Sequence, residues 1–215
     1  MTTYTDQLSQ YINDLFVQED ETLQKIREAI PAKGLPTINV KPEEGRFLQF
    51  LVRATGVRKA LEIGTLGGYS SIWIARGFSP GGRLITLEVD PRHAEIAREH
   101  IAQAGLADQI EVMVGNAHDL LAVLTAEAPF DFIFIDAEKP GYANYFDWAL
   151  ANTRLNGVIA AHNAFRGGSV AGIRADDDYS ETMRGFNHRV AQEERVISTI
   201  FPAGDGTLLA VKIAE

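Results

Sequence analysis

Apolar residues recur along this chain with two different periods, and the change between them divides it. Over the first forty residues the spacing is helical: Leu8, Tyr11, Ile12, Leu15 and Phe16 make one stripe and Leu23, Ile26 and Ile30 a second, before Pro31 and Gly34 break the pattern. Two amphipathic helices are predicted there, their stripes most simply core contacts, with a subunit interface or a lid as the alternatives. A third helix is expected over Glu43 to Ala54, introduced by Pro42. From residue 58 onward, short apolar runs alternate with helical stretches. The predicted strands are Lys59–Ile63, Arg83–Glu88, Ile110–Val114, Phe130–Ile135 and Gly157–Ala161, with helices over Tyr69–Arg76, Arg92–Ala104, Ala117–Leu124 and Tyr142–Ala151 between them. Such alternation is that of an α/β fold, a parallel sheet wrapped by crossover helices. A helix near Asp178–Gln192 leads to two final runs, Arg195–Phe201 and Thr207–Ile213, which the turn Pro-Ala-Gly-Asp-Gly joins as an antiparallel hairpin.

Composition narrows what such a sheet could serve. With 215 residues, 46% of them hydrophobic, one buried domain spanning residues 1–215 is expected, residues 1–40 being its helical extension. A net charge of −9 without any clustered Lys/Arg run argues against a nucleic-acid partner and for small molecules. The chain has no cysteine, which excludes disulfides, thiolate catalysis and cysteine-based zinc or iron–sulfur centres. Its first residues lack a basic region followed by an apolar core, and no stretch approaches the roughly 20 apolar residues of a membrane span. The expectation is a cytoplasmic protein with no membrane contact.

The most informative segment is Ala60-Leu-Glu-Ile-Gly-Thr-Leu-Gly-Gly-Tyr-Ser70, an apolar strand running through Glu62 into a glycine-rich turn and a helix. Gly64, Gly67 and Gly68 leave bare backbone for a ligand, and the helix from Tyr69 turns free N–H groups toward the same place. Glu88 ends the next strand, where a carboxylate accepts both hydroxyls of a ribose. The glycines do not follow the G-x-G-x-x-G order of a dinucleotide fingerprint, and an acidic residue two places before the first glycine suits a cationic amino-acid end better than phosphates. S-adenosylmethionine is the ligand that fits. A nucleophile elbow at Gly68-Tyr69-Ser70 fails because Ser71-Ile72 follows where glycine is required, and a nicotinamide dehydrogenase lacks its phosphate fingerprint.

A second group of chemical residues ends later strands. Strand four runs to Asp136, with Lys139 one turn further on, and strand five runs to His162-Asn163. Neighbouring strand ends would bring Asp136, Lys139, His162 and Asn163 into one crevice. His93 and His100, on a helix that reads as polar, and His188, beside Arg189, are expected at the solvated surface. Phe165, Arg166, the Gly167-Gly168 turn and Arg174–Tyr179 are expected to border the substrate pocket.

These segments, with Leu87-Glu88-Val-Asp90-Pro91, Phe132-Ile-Phe-Ile-Asp136-Ala-Glu-Lys139 and Gly204-Asp-Gly-Thr-Leu-Leu-Ala-Val-Lys212, resemble the small cation-dependent O-methyltransferases related to caffeoyl-CoA and catechol O-methyltransferases. The resemblance runs from about Leu35 to the end, and less distinctly through the N-terminal helices. It implies a Rossmann-like seven-stranded methyltransferase sheet, S-adenosylmethionine as cofactor, a small aromatic hydroxyl substrate and a homodimer. By position, the family's cofactor contacts fall on Val40, Glu62, Gly64, Gly68, Ser70, Glu88, Ala117, His118 and Asp136. Its metal ligands fall on Asp136, His162 and Asn163, and its catalytic lysine on Lys139.

Two positions depart from the family's pattern. Asn116 stands where an acidic residue is frequent, and His162-Asn163 stands where Asp-Asn is usual. Imidazole in place of a carboxylate removes a hard oxygen donor, favouring a transition metal over Mg²⁺. The alternatives are a metal-free site with His162 as base, and Mg²⁺ weakly retained. The expected activity is methyl transfer to a phenolic or catechol-like hydroxyl, with Lys139, His162 and Asp136 assisting. A non-catalytic, dimeric cofactor-binding protein with a decayed metal site is the competing reading.

Overall fold

Thr5 caps the first helix by accepting the Leu8 N–H with its hydroxyl at 3.4 Å. In the computed structural model, which describes residues 4–215, α1 (Asp6–Ile12) passes directly into a π-helical turn, Asn13–Val17, that ends with Gln18 at φ 44°. The π turn breaks the 3.6-residue repeat on which the first apolar stripe was read. Its outcome differs from a core contact: Tyr11, Leu15 and Phe16 are 60, 48 and 64% exposed. The second stripe behaves as expected. Asp20 caps α2 (Glu21–Ala32) by accepting the Leu23 N–H at 2.9 Å, and Leu23, Ile26 and Ile30 are buried. Helix α3 (Pro42–Ala54) starts on its proline, whose missing N–H costs nothing in a first turn.

The chain divides into two compact units, the first ending at Leu120 and the second running from Leu121 to Glu215. In the first, β1 (Lys59–Ile63), β2 (Arg83–Glu88) and β3 (Ile110–Val114) are parallel, joined by α4 (Tyr69–Arg76) and α5 (Pro91–Gln103). Strand β2 lies between the other two, with Glu62 opposite Thr86 and Glu88 opposite Val114. Helix α6 (Ala117–Leu124) leads into the second unit.

There, β4 (Phe130–Ile135) and β5 (Thr153–Ala161) are parallel, while β7 (Thr207–Lys212) runs antiparallel both to β5 and to β6 (Val196–Phe201). Strand β5 starts four residues earlier than expected, because Phe130 pairs with Thr153 across a register shift before Phe132 pairs with Val158. Phe130, Phe132 and Phe134 are buried along β4, and Phe186 of α8 (Ser180–Ala191) meets Tyr142 of α7 (Tyr142–Asn152) edge-on at 5.3 Å. The strand order is β3-β2-β1 in the first unit and β4-β5-β7-β6 in the second, seven strands that are mostly parallel and finished by an antiparallel hairpin as the alternation predicts. Among the described residues no helix is long and apolar enough to cross a membrane.

Candidate active site

The turn after β1 is shaped by its own backbone and by one buried carboxylate. Gly64 N–H donates to the Leu87 carbonyl at 3.0 Å and Gly68 N–H to that of Thr65 at 2.9 Å. Gly68 begins α4 with φ 80°, a left-handed conformation natural to glycine. Behind the turn lies Glu62, which has no exposed surface. Ser70 donates to its Oε1 at 2.6 Å, Thr86 to its Oε2 at 2.7 Å, and Ser71 to Oε2 as well. Placed here, Glu62 shapes the turn by tying the first turn of α4 to β1 and β2. Val40, also buried, precedes α3, whereas Gly64 and Ser70 are half-buried.

Glu88 is bound to the same turn. Its Oε2 accepts the Leu66 N–H at 2.8 Å and its Oε1 accepts the Asp90 N–H at 3.0 Å, with His93 Nδ1 3.8 Å from Oε1. Each carboxylate oxygen has two acceptor sites, so both can still receive a ribose hydroxyl. Ala117 and His118 open α6, where Asn116 accepts the His118 N–H at 2.9 Å and the imidazole is exposed.

In the second unit, the ends of β4 and β5 bring Asp136, Lys139 and His162 together. Lys139 Nζ lies 3.6 Å from Asp136 Oδ1, and His162 Nδ1 lies 3.3 Å from Asp136 Oδ2. The lysine is buried, donating to the Tyr142 hydroxyl at 2.7 Å and to the Ala137 carbonyl at 3.0 Å. Burial pushes Asp136 up, but His162 and then Lys139 outweigh it and hold its carboxyl below the usual range. For Lys139 burial wins: its ammonium is held below the ordinary lysine value, Asp136 resisting and Arg166 assisting.

Asn163 faces a different partner. With φ at 58°, it donates through Nδ2 to Asp205 Oδ2 at 2.9 Å, and Asp205 Oδ1 accepts the Gly167 N–H at 2.5 Å. The hairpin turn thus fastens the loop after β5. Further along that loop, Arg166 lies 3.1 Å from Asp177 and over the Tyr179 ring at 5.4 Å, and Arg174 lies 3.4 Å from Asp177.

A divalent ion can be tested against this donor set. Two protein donors sharing an ion with bonds of about 2.1 Å stand roughly 3 Å apart, a spacing the Asp136–His162 pair meets. Asp205 holds the Asn163 amide nitrogen, and the amide oxygen is the atom this side chain would offer to an ion. Among the described residues no three His, Cys, Asp or Glu side chains gather around one point. One carboxylate, one imidazole and one amide fit a borderline-soft ion better than Mg²⁺.

Several participants escape a reading of residue types alone. Tyr142 lies one helical turn past Lys139, a spacing that could have drawn attention to it. Thr86 and Ser71 matter only through Glu62, and Asp205 only through Asn163. His188 is exposed as expected and His93 is half-buried, but His100 is not at the surface: only 1% of it is accessible. It falls on the buried stripe of α5 with Ile96, Ala97 and Ile101, an apolar periodicity that the charged residues around it mask.

The O-methyltransferase family model matches residues 13–213. The chain is 41% identical over 197 residues to a catechol O-methyltransferase of Niastella koreensis, covering 91% of this chain and 89% of the relative. It is 40% identical over 208 residues to a catechol O-methyltransferase of Mycobacterium tuberculosis, covering 94% and 93%. Among solved structures, an O-methyltransferase from Bacillus cereus in complex with SAH superposes with a TM-score of 0.89 at 43% identity, over 96% of this chain and 97% of that one.

Proposed function

This chain belongs to the O-methyltransferase family, and from that premise we propose that it moves the methyl group of S-adenosylmethionine to a hydroxyl of a small catechol-like or phenolic acceptor. The cofactor reading is supported by the turn at Gly64–Gly68 with Glu88 bound to it, and by the SAH held in the Bacillus cereus relative. The acceptor reading is supported by the two relatives named catechol O-methyltransferases.

A phenol with pKa near 10 is ionised about one part in a thousand at pH 7, so forming its oxyanion costs roughly 4 kcal/mol. The observation that carries the reading is Lys139: a buried amine below its ordinary pKa, anchored by Tyr142 and close to Asp136. Such an amine is neutral more often than a solvated lysine and can take the hydroxyl proton as general base. The acceptor oxygen then attacks the methyl carbon, the carbon–sulfur bond breaks with its electron pair passing to sulfur, and S-adenosylhomocysteine leaves as a neutral thioether. Asp136 keeps its charge throughout and balances the ammonium that Lys139 becomes. Asp136, His162 and Asn163 are the residues that would hold a divalent ion, which would supply Lewis-acid stabilisation of the oxyanion.

The exposed Tyr11, Leu15 and Phe16 support a homodimer in which α1 and the π turn meet a second copy. The activity is tested by incubating the protein with S-adenosylmethionine and catechol and following S-adenosylhomocysteine release with and without added Mn²⁺, Zn²⁺ or Mg²⁺. Methylated catechol supports the reading, whereas cofactor binding without transfer to any phenolic acceptor would make the protein a non-catalytic binder.

A further inference from the structure

The mechanism leaves one buried titratable side chain unused, and it touches the glycine turn. His100 Nδ1 lies 2.8 Å from the carbonyl oxygen of Gly67. A carbonyl only accepts, so Nδ1 carries the proton and Nε2 is the bare nitrogen of the neutral ring. That Nε2 is buried with no hydrogen-bond partner. The same face of α5 supports the next residue of the turn: a Cβ on Gly68 would stand 3.4 Å from the Ala97 Cβ. Helix α5 itself begins three residues after Glu88. One helix therefore follows the ribose carboxylate directly and backs the glycine turn.

Building on the cofactor reading above, we propose that neutral His100 is a positioning residue for S-adenosylmethionine, holding the Gly67 carbonyl and so the turn in its receiving shape, and that protonation, by burying a charge, drives the ring from this seat. The added proton would sit on Nε2, where the fold supplies no acceptor, and would place a charge in a buried space. Desolvation opposes that charge most strongly, keeping the imidazole below its ordinary pKa. The charged groups acting on the ring are Lys33, at the end of α2, and Glu99, on α5; they are ion-paired and act in opposite directions. The glycine turn contributes the Gly67 carbonyl, which favours the proton without matching the cost of burial. Cofactor affinity should thus be full while the ring is neutral and fall as pH drops through the lowered imidazole pKa of the cofactor-free protein.

The test is calorimetric binding of S-adenosylhomocysteine to the full chain, native and substituted, at pH values about one unit above and below 6.5, the ordinary imidazole value. Native protein should lose about twofold or more in affinity at the lower pH, the loss expected once half of the rings in the cofactor-free protein carry the proton. His100→Asn places an amide N–H near the Nδ1 position and cannot take up a proton, so its affinity should be close to native at the higher pH and change little below. His100→Phe should bind about tenfold more weakly at both, the loss of one hydrogen bond. Parallel pH profiles for native protein and His100→Asn would overturn the proposal, as would native affinity in His100→Phe; should the phenylalanine variant not fold, the asparagine comparison decides. Absence of S-adenosylhomocysteine binding by native protein at both pH values would defeat the cofactor reading and this inference together. Firm native binding that ignores His100 defeats the inference alone.

Discussion

The Glu88 carboxylate accepts the Leu66 N–H at 2.8 Å, so the end of β2 and the glycine turn after β1 are one hydrogen-bonded unit. A side chain expected only to hold a ribose also fixes the backbone on which the rest of the cofactor would lie. Glu88→Gln keeps one acceptor oxygen, and S-adenosylhomocysteine affinity should fall by about 1–3 kcal/mol, the worth of hydrogen bonds to a charged group. Glu88→Ala should lose more, because the Leu66 N–H is released as well. Calorimetry on both variants checks the order; equal affinity in native protein and Glu88→Ala would remove Glu88 from the cofactor's contacts.

Gly67 fits against α2 with little room. A Cβ there would stand 2.8 Å from Ile30 Cγ1, so Gly67→Ala should destabilise by about 1–3 kcal/mol through overpacking. Ile30→Ala, which removes both Cγ1 and Cδ1, should alone cost about 2–5 kcal/mol, yet clearly less in the Gly67→Ala background. Denaturant unfolding of the four proteins of this cycle measures the coupling, and simple additivity would contradict the packing described.

Glu62 offers a separate test of the turn's foundation. It is a buried carboxylate that accepts hydroxyl bonds from Ser70, Ser71 and Thr86. Glu62→Gln replaces one acceptor oxygen by a donor among hydroxyls that now donate to it, and should lower stability by about 1–3 kcal/mol. A thermal melt unchanged from native would show that the hydroxyls reorient freely.

The exposed face of α1 and the π turn predicts self-association. Tyr11→Glu together with Phe16→Glu should turn a dimer into a monomer in light scattering at micromolar concentration, with the fold retained by circular dichroism. A native chain already monomeric there would contradict the proposed interface.

Much of this architecture is legible in local pattern. Strands β1, β2, β3 and β4 and helices α4 and α6 fall where apolar runs meet glycine, proline or polar breaks, because a buried parallel strand needs a continuous apolar run whatever its neighbours. The π turn at Asn13–Val17 is not legible in that way: its residues suit an α-helix equally well, and Leu15 and Phe16 within it, like Tyr11 before it, are exposed. At the site, Asp136, Lys139 and His162 are visible as chemical residues at strand ends, and they do come together. Asp205 and His100 are not, because each acts through a residue distant in sequence, while Tyr142 is signalled only by its spacing from Lys139. His100 shows the reason most clearly, since charged neighbours on α5 disguise a position whose environment is set by the turn it supports.

The central claim is that this chain methylates a phenolic hydroxyl with Lys139 as base. The most direct measurement is transfer of labelled methyl from S-adenosylmethionine to catechol by native protein and by Lys139→Met, with S-adenosylhomocysteine affinity measured on both. Native protein should form mono-methylated catechol, and Lys139→Met should be about 10²-fold slower or worse, as expected for loss of a general base, with cofactor affinity nearly unchanged. Transfer at the native rate by Lys139→Met would contradict the account.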